Sequence, residues 1–388
     1  MLLSACAPVI QPAIVSESGA KTTQFVLPTQ ESVISERQNQ ELEQGFSTDF
    51  SRSTVSLNEF VVGNIPKDGV PSIDQPQFEG IETADAWLED VEPIMVVEHN
   101  GSVKGYPIQI LIWHGIVNDE VGGKPLSITY CPLCTTSVVF ERKVGETVFE
   151  FGVTGRSRYS NMVMYDRQTE TWWQQATGEA LVGKLTGEHL TIYPSFVISW
   201  GNFKSLYPEG LVLSRGKDSA SQYGENPFPG YDHRLEQPPL YNGPQVSDLL
   251  PPMERILLAI SPEETVAYAY SLLRDEKVLM DRIGENPMVV FWMPGTSSAL
   301  DAWRISEGRD VGSATAFLAK VNETYLDFEY RNGDFIDTQT GSVWNQVGQA
   351  IAGPLKGAEL QPLTTITHFW FSTAGFYPDV RVFIPAEE

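Results

Sequence analysis

The sequence predicts an α+β, strand-dominated protein in which one mixed unit occurs twice, as two pseudo-symmetric domains packed together. Two observations lead there. Short runs alternate apolar and polar residues, the pattern of half-buried strands. Landmark residues also recur in order at near-constant spacing. Tyr106, Leu111, Asp119, Gly122, Pro125 and Pro132 match Tyr268, Leu273, Asp281, Gly284, Pro287 and Pro294, each pair 162 residues apart (268 − 106, 294 − 132). Asp166, Thr169, Trp173 and Gln175 then match Asp337, Thr340, Trp344 and Gln346 at a spacing of 171 (337 − 166). Gly183, Leu185, Gly187, Leu190, Trp200 and Tyr207-Pro208 match Gly353, Leu355, Gly357, Leu360, Trp370 and Tyr377-Pro378 at 170 (353 − 183).

Taken in order, residues 1–6 end in Leu3-Ser-Ala-Cys6, which is similar to the lipobox where lipoprotein precursors are cut and lipidated. Residues 7–59 are rich in Ser, Thr, Gln and Glu and read as a disordered tether. The first copy spans 60–214. A hairpin is expected over residues 94–107 around Asn100-Gly101, a strong turn dipeptide. Pro107–Trp113 reads as a short helix opened by proline. Gly122-Gly123 breaks the chain before a strand ending at Cys131, and strands follow over Ser137–Arg142, Thr147–Val153 and Asn161–Asp166. Residues 215–252 form an aromatic, Pro/Gly-rich loop expected to lie across a surface, and 253–388 hold the second copy.

Charge excludes several functions. Twenty-six Lys and Arg stand against 50 Asp and Glu, a net charge of −24, so neither nucleic acid nor an anionic membrane surface is an electrostatic partner. No run of eighteen apolar residues occurs. Membrane association is therefore expected only through a lipid on Cys6. That places the protein outside the cytoplasm, at a prokaryotic cell surface or in a periplasm, where dithiols oxidise readily.

The copies differ where chemistry could occur. Cys131, Cys134 and His114 are replaced by Met293, Thr296 and Glu276 in the second, while glycines, prolines and tryptophans recur. Cys131-Pro-Leu-Cys134 can pair as a disulfide or present two thiolates to one metal. A bond closing so small a loop restricts the unfolded chain little, which leaves redox exchange and metal binding. One Cys-x-x-Cys cannot supply a four-ligand zinc site by itself. The metal reading therefore adds His114, with Asp119 or Met164 (Met162 shares its strand face) as further ligands for copper or zinc. The redox reading makes Cys131 and Cys134 an exchanging dithiol with an extracytoplasmic partner. A third reading is a peptide- or glycan-binding module with a structural Cys131–Cys134 disulfide. His368, opposite Ile198 in the recurrence, could reach across a pseudo-twofold interface, but its aromatic-rich segment reads as core.

Trp113-His-Gly-Ile-Val-Asn-Asp119, Tyr130-Cys-Pro-Leu-Cys134, Met164-Tyr-Asp-Arg-Gln-Thr169, Trp173-Gln-Gln and Tyr223-Gly-Glu-Asn-Pro-Phe together resemble the bacterial and archaeal family called domain of unknown function 3179. The resemblance covers roughly residues 60–388 and implies no activity. The chain departs from it at Gly115, where the family has glutamate, and at Thr135, where glycine commonly follows the second cysteine.

Overall fold

Alternating residues become strands nearly everywhere they occur. In the computed structural model, which describes residues 40–216 and 222–385, β1 (Pro93–His99) and β2 (Ser102–Pro107) form the hairpin expected around Asn100-Gly101. Helix α1 (Ile108–His114) follows at once and stops at Gly115, whose φ of 69° is a conformation that favours glycine. An antiparallel meander comes next: β3 (Ile116–Val121), β4 (Lys124–Cys131) and β5 (Thr136–Glu141). Strands β6 (Phe151–Arg158), β7 (Asn161–Asp166), β8 (Trp172–Gln174) and β9 (Ala180–Val182) make a second sheet, extended by Phe60–Val62. Strand β10 (Phe196–Ser199) returns beside β1, helix α2 (Trp200–Leu206) follows, and β11 (Leu211–Leu213) lies parallel to β2.

The elements of the later half follow. Strands β12 (Arg255–Ile260) and β13 (Thr265–Ala269) pair, helix α3 (Tyr270–Glu276) follows, and β14 (Val278–Ile283), β15 (Asn286–Met293) and β16 (Ser313–Leu318) form a meander. A four-stranded sheet of β17 (Phe328–Arg331), β18 (Asp334–Asp337), β19 (Val343–Trp344) and β20 (Ala350–Ala352) precedes β21 (Thr364–Phe369), helix α4 (Trp370–Phe376) and β22 (Arg381–Val382). The fold is α+β and strand-dominated.

Two expectations need correcting. The halves 60–214 and 253–388 are not separate domains, because one sheet runs through both in the order β22-β13-β12-β21-β5-β4-β3. Thr367 of β21 pairs with Ser137 of β5, so the backbone ladder itself joins them. From Glu41 onward the described chain is one compact unit. The tether also does not reach residue 59. Leu42 is buried, and Phe46 and Phe50 meet the indole of Trp172 edge-on at 5.0 and 5.2 Å. Arg156 donates to the carbonyls of Glu41, Leu42 and Gln44. Aromatic packing and three satisfied carbonyls hold this strap down, contacts too distant in sequence for local periodicity to register. The rest of the tether and Cys6 lie outside the described residues. No described helix is long and apolar enough to cross a membrane.

Candidate functional site

The cysteines sit where β4 turns into β5. Cys131 ends β4, Pro132–Cys134 make one tight 3-10 turn, and Thr136 pairs back with Cys131. Thr135 joins them in the left-handed region (φ 51°, ψ 25°), a conformation that favours glycine. Both thiols are free and buried, at 2% and 0% exposure.

Their surroundings are polar. Cys134 Sγ accepts from Thr136 Oγ1 at 2.9 Å and from Asn161 Nδ2 at 3.0 Å. Asn161 cannot turn its amide round, because Oδ1 is held by Gln174 Nε2 (2.6 Å) and the Ala176 N–H (3.0 Å). Its Nδ2 also donates to Gln175 Oε1, and Gln175 Nε2 donates to Thr129 Oγ1 and the Thr136 carbonyl. Burial pushes the Cys134 thiol up, yet the Cys131 thiol, the Thr136 hydroxyl and the Asn161 amide outweigh it and hold it below its ordinary value. Cys131 is driven well above its ordinary value, first by burial and then by its neighbour Cys134. The pair is chemically asymmetric, with Cys134 the member that favours a thiolate.

The later half contributes directly. Strand β21 places His368 Nδ1 3.0 Å from Thr136 Oγ1 and 3.3 Å from Ser372 Oγ, while its Nε2 has no partner among the described residues. Burial lowers this imidazole to about 3, so it is neutral at ordinary pH. His368 is core, as expected, but core bound to the hydroxyl that touches Cys134. Thr129, Thr136, Asn161, Gln174 and Gln175 were all missed. The available signal was polar side chains at inward positions of otherwise apolar strands, as at Thr129 between Ile128 and Tyr130.

His114 does not join the thiols. Its Nδ1 meets the Pro71 carbonyl at 2.8 Å and its Nε2 the Tyr223 hydroxyl at 2.6 Å. Burial lowers its pKa, opposed by that carbonyl. The adjoining backbone does reach the turn, since Tyr130 N–H donates to the Gly115 carbonyl at 2.9 Å. Asp119 is taken by Lys104 Nζ (2.8 Å) and Tyr106 (2.6 Å), and Met164 is buried across from Trp173. Met162 packs between two core clusters, with its sulfur facing Gly115. A glutamate at 115 would need the same positive φ and would press on that sulfur.

The expected ligand set of Cys131, Cys134, His114, Met164 and Asp119 is therefore not assembled. Among the described residues only Asp232, His233 and Asp301 bring three His, Cys or carboxylate atoms within 4.8 Å. There Arg309 already holds both carboxylates, at 2.9 Å from Asp232 and 3.0 Å from Asp301. Two sulfurs alone do not fill zinc's four positions.

The loop expected over a surface covers this region. Tyr231 donates to the Leu133 carbonyl inside the Cys-x-x-Cys turn (2.8 Å), Tyr223 holds His114, and Trp113 Nε1 donates to the Glu225 carbonyl. Asn226 donates to the Ala302 carbonyl in the later half. The turn, the neighbouring helix end and the later half are thus tied by one segment.

The family model described as "Protein of unknown function (DUF3179)" matches residues 67–380, most of the chain. No curated protein and no solved structure matches it.

Proposed function

We propose that this chain, which belongs to the DUF3179 family, is a dithiol–disulfide exchange protein with Cys134 as nucleophile and Cys131 as resolving thiol. The observation that supports this reading is the Cys134 sulfur, fully buried yet approached by the Thr136 hydroxyl and the Asn161 amide. A thiol that only filled space would need neither donor. A thiolate needs both, and the thiolate is the attacking species. Cys134 attacks one sulfur of a partner disulfide, forming a mixed disulfide and releasing the other partner sulfur as thiolate. Cys131 then attacks Cys134, giving the Cys131–Cys134 disulfide, and its proton passes to the departing partner thiol. The protein loses two electrons and the partner disulfide gains them. Access requires the segment bearing Tyr231 to lift from the turn.

Equilibration of anaerobically purified protein across a glutathione series tests this. A reversible two-electron transition, abolished in Cys134→Ser, is expected. Thiols that stay reduced and unalkylated until the protein unfolds would sink the reading. Stoichiometric copper that disappears when both cysteines are replaced would favour soft-metal binding by the sulfur pair instead.

We also propose that the two halves are copies of one unit. Support comes from local structure at matched positions. Helices α1 and α3 each have seven residues and end at positive φ, 69° at Gly115 and 67° at Lys277. Tyr106 meets Asp119 at 2.6 Å and Tyr268 meets Asp281 at 2.7 Å. Trp173 and Trp344 each donate to their aspartate, Asp166 or Asp337, at 3.0 Å. An extracytoplasmic, lipid-anchored location through Cys6 completes the proposal. Radiolabelled palmitate incorporated by the native chain and lost in Cys6→Ala is the expected result.

A further inference from the structure

We infer that the cleft between the two halves binds a small carboxylate or oxyanion, at a site distinct from the thiols. Side chains alternate along paired strands, so Tyr130 and Ser137 face the cleft while Cys131 and Thr136 face the opposite side of the same hairpin. The cavity has a volume of ≈ 40 Å³, far below a drug-sized site and room for a small ion alone.

Two hydroxyls lining it, Thr296 Oγ1 and Ser297 Oγ, belong to residues only 2% and 3% exposed and find no partner among the described residues. Buried donors left empty are costly, and a bound acceptor would satisfy both. Beside them lies the Arg255 guanidinium, fixed by bonds to Thr135 Oγ1 (2.9 Å) and Ser298 Oγ (3.3 Å), with Asp232 at 3.6 Å. An adjoining pocket shares Arg255, Tyr270 and Val311 and adds Arg274 and Arg309. Arg274 pairs with Asp275, and Arg309 with Asp232 and Asp301. Two carboxylates, Glu254 and Asp310, also line that pocket, and both are occupied by backbone N–H groups.

The recurrence sharpens the assignment. Pro93, Ile108 and Val197 line the cleft from the first half, and at their matched positions Arg255, Tyr270 and Thr367 line it from the second. At these three matched positions the earlier half is apolar and the later half carries a guanidinium and two hydroxyls. The later half is thus specialised for a ligand, and is not a scaffold alone.

Calorimetric titration of the whole chain with sodium acetate, sulfate and phosphate, at constant ionic strength set by chloride, tests the site. Saturable binding of at least one anion is expected, weakened tenfold or more in Thr296→Val and in Arg255→Gln and unchanged in Cys134→Ser. Thr296→Val removes one hydroxyl without changing volume, so it keeps the test valid if Arg255→Gln misfolds. No saturable binding of any of the three anions, or binding indifferent to Thr296→Val and Ser297→Ala, would overturn the inference.

Discussion

Cys134 and His368, from opposite halves of the chain, share the hydroxyl of Thr136, which lies 2.9 Å from the sulfur and 3.0 Å from Nδ1. A hydroxyl has one proton, so the arrangement has a direction. Thr136 Oγ1 donates its proton to the sulfur, so in the neutral Nδ1–H tautomer the imidazole donates to Oγ1 in turn. The later half thereby biases the earlier half's thiol toward its anion without touching it.

Thr136→Val breaks that link while keeping the side chain's volume. A hydrogen bond to a charged group contributes about 1.5–3 kcal/mol, so losing it should raise the Cys134 pKa. Iodoacetamide alkylation followed by mass spectrometry across pH reads it, with the shift confined to Cys134. An unchanged profile would mean that the hydroxyl serves the fold alone.

His368 should leave a signature in acid. Its folded pKa is lowered to about 3 and its unfolded value is near 6.5, so between these limits the unfolded chain binds the extra proton. Stability therefore falls as pH drops through that window, by up to about 1.4 kcal/mol per unit from this group. Urea midpoints should decline less steeply between pH 6.5 and 4 in His368→Gln than in the native protein.

Much of this was legible in the sequence and some was not, for a physical reason. Strand β5 was expected over Ser137–Arg142 and forms over Thr136–Glu141, and helix α1 differs by one residue at each end. Such elements depend on neighbours a few positions away. The Cys-x-x-Cys turn was equally legible because both thiols lie within it. The pairing of Thr367 with Ser137 depends on no local pattern, and it alone brings His368 to Thr136. Asn161 escaped for the same reason: nothing nearby in sequence reveals that its amide faces a sulfur from another sheet.

Glu92 is a buried carboxyl with a different sign. Burial raises it to about 7, although Glu89 N–H, Arg215 and Gln109 pull the other way. Ionising it costs the folded state, so its stabilising contribution is full below about 4.5 and is lost as pH rises through 7. Glu92→Gln should be neutral near pH 4.5 and stabilise by about 1–3 kcal/mol at pH 8. Paired denaturation curves at the two pH values give the difference.

The strap over Trp172 should be a measurable part of the fold. Phe46 meets both Trp172 and Tyr165 edge-on, and Lys67 lies 4.6 Å above its ring. Phe46→Ala should cost about 1–3 kcal/mol and expose the Trp172 indole, red-shifting its fluorescence. Thermal denaturation and emission spectra together distinguish a docked strap from a loose one.

His114 supplies the sharpest contrast between the sequence pattern and the folded site. The motif Trp113-His-Gly suggested a metal ligand beside the thiols, but both ring nitrogens are engaged, by Pro71 and Tyr223. An imidazole so held acts as a clasp between the helix end and the covering loop. His114→Gln breaks at least one of these bonds, so stability should fall by about 1–2 kcal/mol. Opening of the loop should become more frequent, and alkylation of Cys134 faster by the same proportion at every pH. The midpoint of the alkylation profile should not move, since Thr136, Asn161 and Cys131 set it. Rate and midpoint thus separate the two roles: a parallel rise in rate identifies a clasp, whereas a displaced midpoint would make His114 the partner of the thiols after all.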